Sequence, residues 1–334
     1  LVRSRGLGDV YKRQGLDLSV QEPEGGLAVS LLGVPGEPSL ALTLQGNAPI
    51  DDFEAELTLA TDGTERLAGT VILRADGNED TRRFRMDVAG DVASLVAPQY
   101  REFLGDSVSM TTEVLQQADG ATELSELELS AEALRLTGYA RIGADGWPER
   151  LDLQGGITPP QGERVVLPIP GAETSVAGVT LEATFNAEEG NGWSLQTVVE
   201  GFDREGLGTI DRLSLSGNGE IARDETRVTG TVRLGVSDLG LDDPALAQAV
   251  GPALNGTLDF GWQPSSPLLI TDLDLSGADY GLDGEVSVSA LDALNPVISP
   301  DVRLRADNLS RFGALAGLDL DGSAEVRISG AVLP

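Results

Sequence analysis

The chain has 334 residues and a net charge of −31, from 54 Asp and Glu against 23 Lys and Arg, with no His and no Cys. That balance argues against nucleic acid or an anionic bilayer surface as partner, since binding phosphates needs a surplus of basic side chains. Without His or Cys there is no disulfide, no usual zinc set and no Ser-His or Cys-His nucleophile, so no catalytic site, metal or cofactor is expected.

Residues 1–14 stand apart from the rest. Arg3, Arg5, Lys12 and Arg13 face a single acid, Asp9, and Lys12 is the only lysine in the chain. The string GDVYKRQ at 8–14 resembles translated adapter read-through. This stretch is therefore read as a non-native leader on a piece of a longer protein. No run of about eighteen apolar residues marks a membrane-spanning helix.

From residue 15 the dominant signal is alternation. Leu16, Leu18 and Val20 are followed by Leu40, Leu42 and Leu44, then by Phe53, Ala55, Leu57 and Leu59. Leu67, Gly69, Val71 and Leu73 continue the pattern, as do Phe84, Met86 and Val88. Successive side chains of a strand point to opposite faces, so period two predicts strands with one apolar and one wet face. Asp-Gly and Asn-Gly pairs beginning at Asp62, Asp76, Asp119, Asp145, Asn191, Asn255 and Asp283 predict tight hairpins or longer loops, because both residues tolerate positive φ. The clearest hairpin lies within 207–236, where Leu213 and Leu215 alternate with polar residues, a charged turn follows, and Val228, Val232 and Leu234 alternate back.

Short helices interrupt the strands. Asp91 is positioned to cap 92–96, and Pro98 opens a second piece that Gly105 ends. Asp242 or Asp243 before Pro244 starts another, stopped at Gly251, and residues 308–317 form a third candidate. The Pro-rich stretch 159–175 separates a first array, 15–158, from a second, 176–334, and allows at most an edge strand. A motif Leu-x-Leu-x-Gly begins at Leu42, Leu134, Leu151, Leu213, Leu273 and Leu318. Its spacing is irregular, which argues against a stacked solenoid. Its glycines are read as points where a sheet bends.

The chemistry candidates do not assemble. Asp272, Asp274, Asp319 and Asp321 hold the carboxylates that calcium takes, yet they read as wet faces of strands, as do Glu126 and Glu128. Gly206, Gly208, Gly217 and Gly219 lack a phosphate-binding lysine or helix start. Trp147, Trp193 and Trp262 read as corner packing. The expected fold is mainly β: a long antiparallel amphipathic sheet curled into an elongated hydrophobic groove, with a few short helices. The residues alone leave two ways to cover the apolar face, a second sheet in a dry sandwich or lipid tails in a groove.

Four stretches carry a family resemblance: DDFEAELTLATDG at 51–63, RLAGTVIL at 66–73, GWPERLDL at 146–153 and DPALAQAV at 243–250. They resemble the TamB translocation and assembly module family, related to AsmA, of alphaproteobacterial type. The resemblance implies a periplasmic protein anchored to the inner membrane, outer-membrane biogenesis, and bridge-like phospholipid transfer along a β-groove. It also implies an Omp85-type, TamA-like outer-membrane partner met through a region outside these residues. Lipid would then run over Leu57, Leu59, Val71 and Leu73, over Leu134, Leu136, Leu151 and Leu153, and over Leu181, Leu213 and Leu215. Val232, Leu234, Leu273, Leu275, Val286 and Val288 would continue the lining. The competing expectation is a structural or adhesive β-rich surface protein, a sandwich or solenoid array with a dry core.

Overall fold

The computed structural model describes residues 3–4, 15–31, 33–47, 52–75, 81–289 and 297–331. The chain is mainly β and antiparallel, with a few short helices, and it divides into two compact units, Leu1–Pro168 and Ile169–Pro334. The division falls inside the Pro-rich stretch. Apart from Arg3 and Ser4, the leader lies outside the described residues, as does the Asp76 turn.

The first unit runs β1 (Arg3–Ser4), β2 (Gly15–Glu22), α1 (Leu27–Leu31), β3 (Leu40–Asn47), β4 (Asp52–Thr61), β5 (Thr64–Ala75) and β6 (Arg82–Gly90). It continues with α2 (Arg101–Leu104), β7 (Val108–Gln116), β8 (Thr122–Ser130), β9 (Leu134–Ile142), β10 (Pro148–Ile157) and β11 (Val165–Val166). From β1 to β10 each strand pairs with the next, so this unit is a meander. The Asp62-Gly63 pair closes β4 on β5 with positive φ at both residues, 50° and 75°. That is the hairpin geometry whose twist matches the strands.

The second unit contains β12 (Thr174–Val176), β13 (Gly178–Asn186), β14 (Gly192–Arg204), β15 (Gly208–Ala222), β16 (Arg227–Leu241) and α3 (Pro244–Val250). Then come β17 (Leu254–Trp262), β18 (Leu268–Ser276), β19 (Tyr280–Ser289), β20 (Val297–Ala306), α4 (Gly313–Ala316) and β21 (Ala324–Ser329). It too is a meander, from β13 to β21. The alternating hairpin of 207–236 is its longest pair, β15 and β16, closed by a 3-10 turn at Arg223–Glu225 with Thr226 at φ 48°. Among the described residues neither meander closes into a barrel.

The expected helical pieces are present but shorter, and the one expected over 92–96 is only a 3-10 turn at Ala93–Leu95. Asp91 accepts from the Ala93 amide, Pro98 opens a turn that leads into α2, and Gly105 ends it at φ 66°. Asp243 caps α3 through the amides of Ala245 and Leu246, and Asn308 caps the turn that leads into α4. α1 carries no cap signal and was not legible. Two turn expectations fail. Asn255-Gly256 lies inside β17 and Asp283-Gly284 inside β19, fully paired on both sides. The glycines there serve packing, because a side chain at Gly256 would collide with Leu275, and one at Gly284 with the backbone of Asp301 and Val302.

Candidate functional site

Register decides what the alternating residues build. In the first unit one row crosses nine strands: Leu18, Leu44, Leu57, Gly69, Val88, Met110, Leu129, Leu136 and Gly155, each directly opposite the next. A parallel row holds Ala55, Val71, Met86, Thr112, Leu127, Gly138 and Leu153. A third holds Phe53, Leu73, Phe84, Val114, Leu124, Ala140 and Leu151. Leu124 and Leu127 are three apart, yet both share this face. An irregularity at Ser125 and Glu126 adds the residue that restores the phase.

The second unit repeats the design. Leu181, Thr197, Leu215, Leu234, Gly256, Leu275, Leu282, Leu304 and Val326 form one row. Beside it run Leu195, Gly217, Val232, Leu258, Leu273, Gly284, Val302 and Ile328. Leu213 and Val236 lie on one side of these rows, and Ile270, Val286, Leu268 and Val288 on the other. Every residue named from sequence as lining therefore lies on the apolar face of its own unit. None of these rows contains an ionisable side chain.

The charges stand on the reverse face. Arg83 and Arg85 flank Glu113, Arg212 pairs with Glu200, Arg305 with Asp283, Arg303 with Glu325 and Arg327 with Asp301. The Arg327 guanidinium holds the Asp301 carboxyl below its usual range. Asp272 and Asp274 sit exposed among these charges, and no cluster of metal-binding side chains occurs among the described residues.

The apolar rows are not sealed. Of the seventeen lining residues only Leu273 is buried, at 8% exposure; the others are half-buried. The largest fully buried side chains among the described residues are three valines, Val29, Val165 and Val176. A dry sandwich with this much Leu and Val would bury most of it, as closely packed interiors do.

The Leu-x-Leu-x-Gly glycines turn out to be notches rather than bends. Gly155 lies under Leu136, and a Cβ there would stand 2.7 Å from Leu136 Cδ1; Gly138 in turn lies under Leu153, at 3.0 Å. Gly46 lies under the Phe53 ring, Gly217 under Trp193 and Gly277 under the Tyr280 ring. Gly322 is the exception, a turn residue at φ 83° with open space around it. Trp193 does more than pack a corner. Its indole covers Gly217, Gly219 and Gly230, meets Phe260 at a centroid distance of 6.0 Å, and donates from Nε1 to the Thr229 carbonyl at 3.0 Å.

The strand ends frame the face. In a meander alternate connections share an end, so α1, the Asp62 turn, α2 and the loop before β9 all lie at one end of the first unit. There Phe103 is buried and its carbonyl accepts from the Ala133 amide at 3.0 Å, while Leu27 and Leu31 stand exposed. An open depression of about 460 Å³ at β9 and β10 is lined by Glu132, Leu134, Gln154, Gly155 and Thr158, among others. In the second unit α3, the Asp279 turn and α4 share one end in the same way. Arg311 ties them together: it pairs with Asp279, donates to the Ala249 carbonyl at 3.0 Å and lies over the Tyr280 ring. The Tyr280 hydroxyl donates to the Val250 carbonyl at 3.0 Å, and burial pushes it above its usual pKa, with Arg311 opposing the rise and Asp279 adding to it.

No family model, no curated protein and no solved structure matches this chain.

Proposed function

We propose that the apolar faces of the two meanders carry the acyl chains of phospholipid, and that the chain is a segment of a TamB-like bridge that moves lipid without bond chemistry. The observation that carries this reading is the set of uncharged rows, up to nine strands wide in each unit, left half-exposed. An acyl chain filling half of a hydrocarbon core of about 30 Å is roughly 15 Å long. Strands stand about 4.8 Å apart, so such a chain covers about three of them, and each row offers many overlapping positions. Each methylene removed from water contributes about 0.8 kcal/mol, which holds lipid on the face without selecting one place along it. Movement along the rows needs that kind of repeated, shallow binding. In this reading the protein works in the periplasm, tethered to the inner membrane and meeting an Omp85-type partner through segments outside these residues.

The test is lipid content. Protein purified from cells, or incubated with phospholipid vesicles and re-isolated, is extracted with organic solvent and the extract analysed by mass spectrometry. Phospholipid in stoichiometric amounts is expected. Protein that comes away clean under both conditions overturns the reading and leaves a structural or adhesive β-protein.

A further inference from the structure

We infer that β21 is a docking edge for a second copy of this chain, two β21 strands pairing antiparallel about a two-fold axis at Val326. The strand holds Ala324, Glu325, Val326, Arg327, Ile328 and Ser329, and among the described residues it pairs with β20 alone. Its other edge presents unpaired backbone groups, which are a template for strand addition. The Gly330 amide donates to the Pro300 carbonyl at 3.3 Å, and ladder bonds fall on every second residue of an antiparallel pair. Counted back through the register, Ala324, Val326 and Ile328 turn their amides and carbonyls toward β20, while Glu325, Arg327 and Ser329 turn theirs outward. Val326 and Ile328 are also 48% and 46% exposed, more than the half-buried leucines and valines that precede them in their rows.

The strand is complementary to itself in one register. Outward groups must oppose outward groups across the new edge, so the axis passes through a residue and not between two. With the axis at Val326, Glu325 opposes Arg327 of the second copy and Arg327 opposes its Glu325. Val326 then meets Val326, and Ala324 meets Ile328. Directly opposed residues share a face, so opposite charges meet on the reverse face and aliphatic side chains on the other. An axis at Glu325 or Arg327 sets two like charges opposite each other, which destabilises. Axes further along leave most of the strand unpaired. Arg327 also has a reason to take an acid on its outer side, because β20 sets Arg303 directly opposite it, with its carboxylate partner Asp301 on a diagonal. In the pair, the row of Leu282, Leu304 and Val326 runs on through Val326 of the second copy, whatever that face carries. The contact is small and each chain carries −31, so association is weak and concentration-dependent.

The experiment is sedimentation velocity on the full chain over a concentration series, at ~0.15 M salt to screen the net repulsion. A monomer–dimer equilibrium is expected. Glu325→Lys opposes cation to cation and Arg327→Glu opposes acid to acid, so each variant alone is expected to self-associate about tenfold more weakly. Mixed in equal amounts, the two variants restore both charge pairs in a heterodimer, and association is expected to return close to that of the unmodified chain. The mixture contains the same two chains, so a folding defect in either cannot produce that recovery. The chain has no Cys, and Val326 would face itself at a Cα separation of about 4.5 Å, within reach of a disulfide. Mild oxidation of Val326→Cys is therefore expected to give a covalent dimer, and Ser329→Cys is not. A chain that sediments as a monomer throughout the series overturns the proposal and leaves the edge to a strand of different sequence. Dimers that survive both single substitutions, or a mixture that associates no better than either variant, overturn this edge and register.

Discussion

Leu136 lies across Gly155, and on the same two strands Leu153 lies across Gly138, so each strand supplies both a knob and a notch. The reciprocity follows from pairing two copies of Leu-x-Leu-x-Gly in opposite directions. A side chain on either glycine has to displace its partner. Gly155→Val is expected to destabilise the first unit by about 1–3 kcal/mol, as overpacking does. Adding Leu136→Ala should recover part of that loss, with a coupling of about 0.5–2 kcal/mol between the two sites. Urea denaturation of the two single variants and the double variant measures this; strict additivity would show that the notch is not a packing unit.

A second notch has an optical readout. Gly230 lies beneath the Trp193 indole, between it and the backbone of Asn218. With Trp147→Phe and Trp262→Phe removing the other indoles, Gly230→Val is expected to lift Trp193 off the face and break its bond to the Thr229 carbonyl. Emission should shift to the red and iodide quenching should rise. An unchanged spectrum would mean that Trp193 does not rest on the glycine floor in solution.

The apolar face can be separated from its reverse by one residue. Leu275 lies in the longest row of the second unit, and Ser276 points the other way and is exposed. Leu275→Asp puts a carboxylate where an acyl chain rests, at a cost of roughly 2–7 kcal/mol for an unpaired polar group under lipid. Bound lipid should fall by more than about tenfold, which corresponds to only ~1.4 kcal/mol, while Ser276→Asp leaves it nearly unchanged. Comparable lipid loss in both variants would remove the case for a one-sided carrier.

Tyr280 predicts an alkaline transition. Its folded pKa lies above the unfolded value of about 10 because burial disfavours the phenolate. Its stabilising contribution is therefore complete below pH ~10 and is lost as pH rises through the higher folded value. Above that point ionisation places a half-buried phenolate against the Val250 carbonyl it used to donate to. Tyr280→Phe is expected to flatten this part of the pH–stability profile of the second unit while giving up one hydrogen bond, about 1 kcal/mol, at neutral pH. The two profiles, followed by near-ultraviolet circular dichroism, should differ only at high pH once that offset is subtracted. An equal alkaline drop in both would assign the transition to another group.

Much of the fold was legible because it is written in local patterns. The alternation of Leu213, Leu215, Val232 and Leu234 marked a hairpin and its apolar side, and Asp243 before Pro244 marked the start of α3. The glycines were legible as features and misread as bends, because what lies over Gly155 or Gly217 belongs to a neighbouring strand. The same limit explains Asn255-Gly256: the dipeptide is a turn signal in isolation, and a notch for Leu275 once β18 pairs with β17. Leu124 would fall on the wet face by counting from Leu127, and only the irregularity at Ser125 and Glu126 brings it round. α1 went unseen because its five residues carry neither a cap nor a usable period.

By itself, then, the sequence determined that this protein is an antiparallel β-chain with an aliphatic face and a charged one, since side-chain period and turn residues act within a few positions along the backbone. It also excluded histidine- and cysteine-based chemistry by composition. The tertiary structure alone decided that the apolar residues fall into unbroken cross-strand rows, that glycines interlock them with leucines and Trp193, and that the rows stay half-exposed. Those properties depend on the register each strand takes against its neighbours, summed across up to nine strands, and on what, if anything, packs above them.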